Sequence, residues 1–268
     1  MRRSLIAFCA LLAAGAAAAQ VDEVLTARLE RYSIAGLATR LEEAKALRYG
    51  VALFPGHPGI LKLEQVDGQP RYDMRGNFLV RSRRHWLDAE TLVVVLDAPS
   101  DQWATFWQDF RATPRYGADV SALLSEASRR YGITDWTFVG TSEGSVSAFH
   151  AARMNPQLVR RVILTSSLWG RTRNGAGLSN ADWQALRAPL LWVHHVDDPC
   201  EYTAYREAQR HAENTRSPLV SVRGGGPGKG GACQAFTADG FVGLERAVVL
   251  AMRSWMRTGA VPGDVSAP

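Results

Sequence analysis

The segment Trp136-Thr-Phe-Val-Gly-Thr-Ser-Glu-Gly-Ser-Val-Ser-Ala148 constrains the fold more than any other: an apolar run enters Gly140-x-Ser142-x-Gly144 and leaves into small and apolar residues. A serine on a sharp strand-to-helix turn needs a positive φ, and glycines two residues to either side leave room for the crowded crossing. The bare pattern is short enough to arise by chance, so its flanks carry the argument. Phe138 and Val139 before the turn, and Val146, Ala148, Phe149, Ala151 and Ala152 after it, read as a buried parallel strand followed by its crossover helix. A surface turn that happened to hold a serine would need neither flank.

Similar apolar runs at 50–54, 91–96, 161–165, 189–194 and 218–222 predict further strands. Helical patterns at 79–88, 116–131, 143–154, 200–211 and 240–256 fall between most of them, after a polar lead-in over 22–47 that also reads as helical. Strands alternating with helices imply an α/β fold, a mostly parallel sheet covered by helices on both faces. Ligands of such sheets sit beyond the carboxyl ends of the strands. The unusual residues gather there: Phe54-Pro-Gly-His-Pro-Gly59, Asp97-Ala-Pro-Ser-Asp101, the serine turn, and His194-His-Val-Asp-Asp-Pro-Cys200.

Met1-Arg-Arg-Ser followed by apolar residues from Leu5 and by Ala17-x-Ala19 reads as a secretory signal peptide over 1–19, too short for a confident membrane span. The chain is then expected to be exported, periplasmic or secreted, with no stable membrane anchor and a single domain over 20–268. Losing Arg2 and Arg3 lowers the formal charge from +5 to +3, and the remaining Lys and Arg are spread along the chain. That distribution gives no nucleic-acid footprint and leaves a small-molecule substrate or ligand as the expected partner. Cys200 and Cys233 remain, an even number in an exported chain, which points to a disulfide. Closing a loop of about 33 residues would contribute roughly 3–4 kcal/mol on the chain-entropy view. Gly224-Gly-Gly-Pro-Gly-Lys-Gly-Gly231 lacks the Ser or Thr that a phosphate loop carries after its lysine, and reads as a flexible loop.

These motifs, in this order, resemble the α/β-hydrolase fold over residues 49–256. Gly140-x-Ser142-x-Gly144 resembles its nucleophile elbow, and Val193-His-His-Val-Asp-Asp-Pro199 its Val-His-Gly-x-x-Asp-Pro strand end. Asn77-Phe-Leu-Val-Arg-Ser-Arg83, Asp97-Ala-Pro-Ser-Asp101 and Gly240-Phe-Val-Gly-Leu-Glu245 are similar to segments of exported bacterial members. The resemblance implies a serine hydrolase of esters or amides without a large cap domain, with Ser142 as nucleophile and Asp198 as acid. It implies an oxyanion hole from the backbone N–H groups of Glu143 and His57, since Pro58 cannot donate. A serine, an acid and backbone donors suffice for acyl transfer, so no metal and no organic cofactor is implied. Two of these positions have blander readings: Asp198 as a helix cap, and the His57 loop as a plain Pro-Gly turn. Trp103, Phe106, Trp107 and Phe110 read either as core or, with Trp169, as an apolar rim.

One position departs from the family. The histidine expected just before the Gly-Phe of the final helix is replaced by Asp239, and no histidine follows His211. An aspartate titrates near 4, about two and a half units below histidine, and is a far weaker base toward a hydroxyl. Beside Asp198 it would also favour a shared proton. Three outcomes stay open: a slow hydrolase with a displaced base, His57 being the candidate; a non-catalytic relative that binds a small ligand or partner; or a misplaced last loop.

Overall fold

The computed structural model describes residues 18–261 and 263–267; the leader expected over 1–19 lies outside them apart from Ala18 and Ala19. In chain order the strands are β1 (Gln20–Arg28), β2 (Ser33–Leu41), β3 (Tyr49–Phe54), β4 (Glu64–Val66), β5 (Gln69–Arg71), β6 (Thr91–Leu96), β7 (Asp135–Ser142), β8 (Val159–Ser167), β9 (Leu190–His195), β10 (Leu219–Arg223) and β11 (Val265–Ser266). The α-helices are α1 (Phe78–Ser82), α2 (Gln108–Arg111), α3 (Pro114–Tyr131), α4 (Glu143–Met154), α5 (Tyr205–Thr215) and α6 (Glu245–Thr258). Nine strands form one sheet in the order β1-β2-β6-β3-β7-β8-β9-β10-β11, and β4 with β5 makes a separate ribbon. The β1–β2 and β2–β6 pairs are antiparallel and the other pairs of the large sheet parallel.

The central strands are apolar on both faces because both are covered. Ala52, Phe54, Val94, Phe138 and Leu164 pack with α3, α4 and α5. Their alternating neighbours Val51, Leu53, Val93, Val139 and Ile163 pack with α1 and α6. Each such side chain larger than alanine, taken from water, contributes roughly 1.5–3 kcal/mol, and the period of two distributes that gain over two layers. The helices follow the same logic: α3 starts at Pro114 behind its Thr113 cap and ends at Gly132 in the left-handed region.

The lead-in over 22–47 is not helical, contrary to the sequence reading. It is the β1–β2 hairpin, paired in register from Gln20↔Leu41 to Arg28↔Ser33. Its alternating Val, Thr and Ile residues suit a pleated surface, and Ile34, Leu37 and Ala38 gain burial only because β2 lies against β6. The last two helices also begin later than expected. Residues 201–203 form a single 3-10 turn before α5, and Phe241 and Gly243 take positive φ ahead of α6. Between β8 and β9 the chain runs through turns with one short 3-10 helix, so no cap domain covers the sheet. No helix among the described residues is long and apolar enough to cross a membrane.

Candidate active site

Ser142 ends β7 with φ 50° and ψ −126°, and α4 begins at the next residue. Both flanking glycines are required by close approach: a Cβ on Gly144 would collide with the Phe54 carbonyl, and one on Gly140 with the Gly144 carbonyl and Ala148. The helix therefore lies against the end of β3 and pushes the serine outward. Ser142 opens onto a cavity of about 80 Å³ shared with Gly56, His57, Asn77, Asp239 and Gly240. Its Oγ has no hydrogen-bond partner among the described residues. The Glu143 N–H belongs to the first turn of α4, where backbone donors have no partner within the helix. Across the cavity Asn77 caps α1 by accepting from the Leu79 N–H at 3.1 Å, and its amide nitrogen lines the space beside Gly56.

Toward α2 the cavity meets a charged cluster that the sequence did not reveal. The Glu143 side chain is almost wholly buried, 4 % exposed. Its Oε1 accepts from Gln108 Nε2 at 2.9 Å and Asn174 Nδ2 at 3.2 Å; its Oε2 accepts from Arg111 Nη2 at 3.2 Å and meets His57 Nδ1 at 3.0 Å. Burial by itself would raise this carboxyl, but His57, Arg111 and Gln108 outweigh it and hold Glu143 below the usual carboxylate range. Arg111, 1 % exposed, also donates to Ser147 Oγ at 2.9 Å and to the Pro58 carbonyl at 2.8 Å. One guanidinium thus ties α4 to the turn that carries His57.

The other side holds the acid pair. Asp198 accepts from the Cys200 N–H at 2.9 Å, and the Thr203 hydroxyl lies 2.7 Å from Asp198 Oδ2 and 3.0 Å from Asp239 Oδ1. A hydroxyl carries one proton, so both contacts are hydrogen bonds only when one carboxyl is protonated. Burial, and then the Asp198 charge, push Asp239 up to about 8. Burial also raises Asp198, partly offset by its Cys200, Thr203 and other donors. Cys200 and Cys233 are bridged with Cα atoms 4.7 Å apart, joining the Asp198 loop to the segment leading to Asp239.

The remaining candidates sort by their hydrogen bonds. His195 spends Nε2 on the Gly224 carbonyl at 2.8 Å and Nδ1 on the Asp197 N–H at 3.1 Å. The Ser167 N–H meets His194 Nε2 at 3.2 Å, and burial pushes this ring down to about 3. Both hold the scaffold together through these contacts. Trp169 stacks on His211 at 4.5 Å and is core rather than rim. Of the aromatic stripe, Phe106 is buried, Trp103 and Phe110 pack on the core, and Trp107, 47 % exposed, stands out. With Ile60, Phe106 and His57 it lines a second cavity of about 240 Å³. Among the described residues no three His, Cys, Asp or Glu side chains converge as metal ligands.

No protein-family model matches the sequence, and no curated protein sequence matches it. Solved structures do match the fold. Est1E from Butyrivibrio proteoclasticus superposes with a TM-score of 0.59 at 12 % identity, over 87 % of this chain and 97 % of that one. A dienelactone hydrolase from Anabaena variabilis gives 0.55 at 13 %, over 89 % and 97 %. XC6422 from Xanthomonas campestris, described as an α/β serine hydrolase without a lid, gives 0.55 at 13 %, over 89 % and 93 %. The chain has the α/β-hydrolase fold, with no large cap.

Proposed function

We propose that this chain is a serine hydrolase of ester or amide bonds, exported and acting on a small-molecule substrate, with Ser142 as nucleophile. The observation that carries this reading is the positive φ of Ser142 at the β7–α4 junction, which turns its hydroxyl into a cavity at the carboxyl ends of the strands. The N–H groups of Glu143 and His57 are the oxyanion donors, fixed by the helix start and by the turn that Arg111 clamps. Asp198 fills the acid position and Asp239 the position of the base. A proton-holding Asp239 is a poor acceptor for a serine proton, so turnover through that pair is weak. A second reading, a non-catalytic relative that binds a small ligand, is favoured by the absence of any base within hydrogen-bond distance of Ser142 Oγ among the described residues.

The test is covalent labelling with a fluorophosphonate. The native protein should label, and Ser142→Ala should lose the label and at least about 10³-fold of its ester turnover. A native protein that neither labels nor hydrolyses esters would leave only the binding role.

A further inference from the structure

Resting on Ser142 as nucleophile, we infer that the proton-transfer unit lies on the opposite side of the serine from Asp198: His57 is the general base and acid, and Glu143 is its positioning carboxylate. An imidazole serves a serine only if one nitrogen is held as a donor by an acceptor of fixed geometry, leaving the other free to take a proton. His57 and Glu143 meet that condition. The ionised Glu143 only accepts, so the Nδ1 contact at 3.0 Å requires the proton on Nδ1. Asn174 Nδ2, 3.2 Å from the same nitrogen, is a second donor there and gives its proton to Glu143 Oε1 instead. The neutral ring is thereby fixed with Nε2 unprotonated, and no protein group among the described residues occupies Nε2.

The carboxylate is as well anchored as the ring is open. Glu143 is held from Gln108, Arg111 and Asn174, while the His57 side chain is 66 % exposed. Glu143 is also the residue next to the nucleophile, so the turn that presents Ser142 places the partner of the base. His57 and Ser142 line the same cavity of about 80 Å³, which has room for one bridging water at about 30 Å³ each.

In the reaction, Nε2 takes the Ser142 Oγ proton as Oγ bonds to the acyl carbon and the carbonyl π pair moves onto its oxygen. The imidazolium then protonates the leaving oxygen as its bond to the acyl carbon breaks. A water repeats the sequence, releasing the acid and restoring Ser142. A leaving group within reach of His57 enters the second cavity, beside Ile60, Phe106 and Trp107. The substrate class is therefore an ester whose alcohol part is apolar or aromatic.

The experiment uses 1-naphthyl acetate and the fluorophosphonate on the native chain, His57→Ala and Glu143→Gln. His57→Ala, a change at an exposed side chain, should lower kcat by roughly 10²–10⁴-fold with KM within about threefold, and added imidazole should restore part of the loss. Glu143→Gln should lower kcat without rescue by imidazole. Labelling of His57→Ala at a rate within threefold of native would overturn the dyad while leaving the Ser142 reading intact. Loss in His57→Ala without rescue would overturn it as well, marking a structural role. A native chain that does not react with either reagent removes the nucleophile reading, and this inference with it.

Discussion

Acidic side chains sit on both sides of Ser142, and the two sides hold charge in opposite ways. Toward α2, one carboxylate, Glu143, is surrounded by a guanidinium, two amides and an imidazole, and stays ionised although buried. Toward β9, two carboxyls, Asp198 and Asp239, share a threonine hydroxyl with no cation among the described residues bonded to them, and one keeps its proton. Residue type is nearly the same on the two sides. What differs is the number of donors and positive charges supplied by neighbouring elements, and that number decides which side can orient a base and which can only hold itself together.

The largest effect expected from testing this contrast comes from Arg111→Met. Removing the cation from a pair whose members are 1 % and 4 % exposed leaves a buried charge, and should cost about 3–5 kcal/mol in urea denaturation. A cost below about 1 kcal/mol would mean that the Glu143 side is not charged. Next comes a transplant. In the His57→Ala background, Asp239→His places an imidazole beside Asp198, and should recover 1-naphthyl acetate turnover by tenfold or more, about 1.4 kcal/mol. No recovery in a folded variant would show that position 239 does not address Ser142.

The last test is a pH trend, read as a difference of slopes. Asp239 has a folded-state pKa raised to about 8, so its contribution to stability is complete below the unfolded value near 4. It is lost as pH rises through about 8. Glu143 has the opposite sign, its contribution being present above the ordinary carboxylate range and lost as pH falls below it. Thermal midpoints of the native chain should fall from pH 5 to pH 9 more steeply than those of Asp239→Asn. Equal slopes would place the shared proton elsewhere.

The acid pair was more legible in the sequence than the charged cluster. Asp198 announces itself through the strand-end motif, and Asp239 by standing where a histidine is expected. The disulfide followed from counting cysteines, and in the structure it ties those two segments together. Glu143 entered the sequence reading only through its N–H, because nothing in a linear pattern says which way a side chain at a helix start will turn. Arg111, 32 residues away from Glu143, gave no signal at all. An arginine after a phenylalanine reads as surface until α2 packs on α4. The β1–β2 hairpin was missed for a related reason: its strand character depends on β6, which lies fifty residues further on and supplies the partner.

By itself the sequence determined the local rules: continuous apolar runs that must be covered on both faces, a Gly-x-Ser-x-Gly turn that steric crowding permits in one conformation, and an aspartate unsuited to the task of a histidine. Only the tertiary structure decided where charge resides around the serine. Protonation of a buried carboxyl depends on donors that long-range packing brings within about 3 Å, and those neighbours come from α2 and three separate loops that no sequence spacing connects.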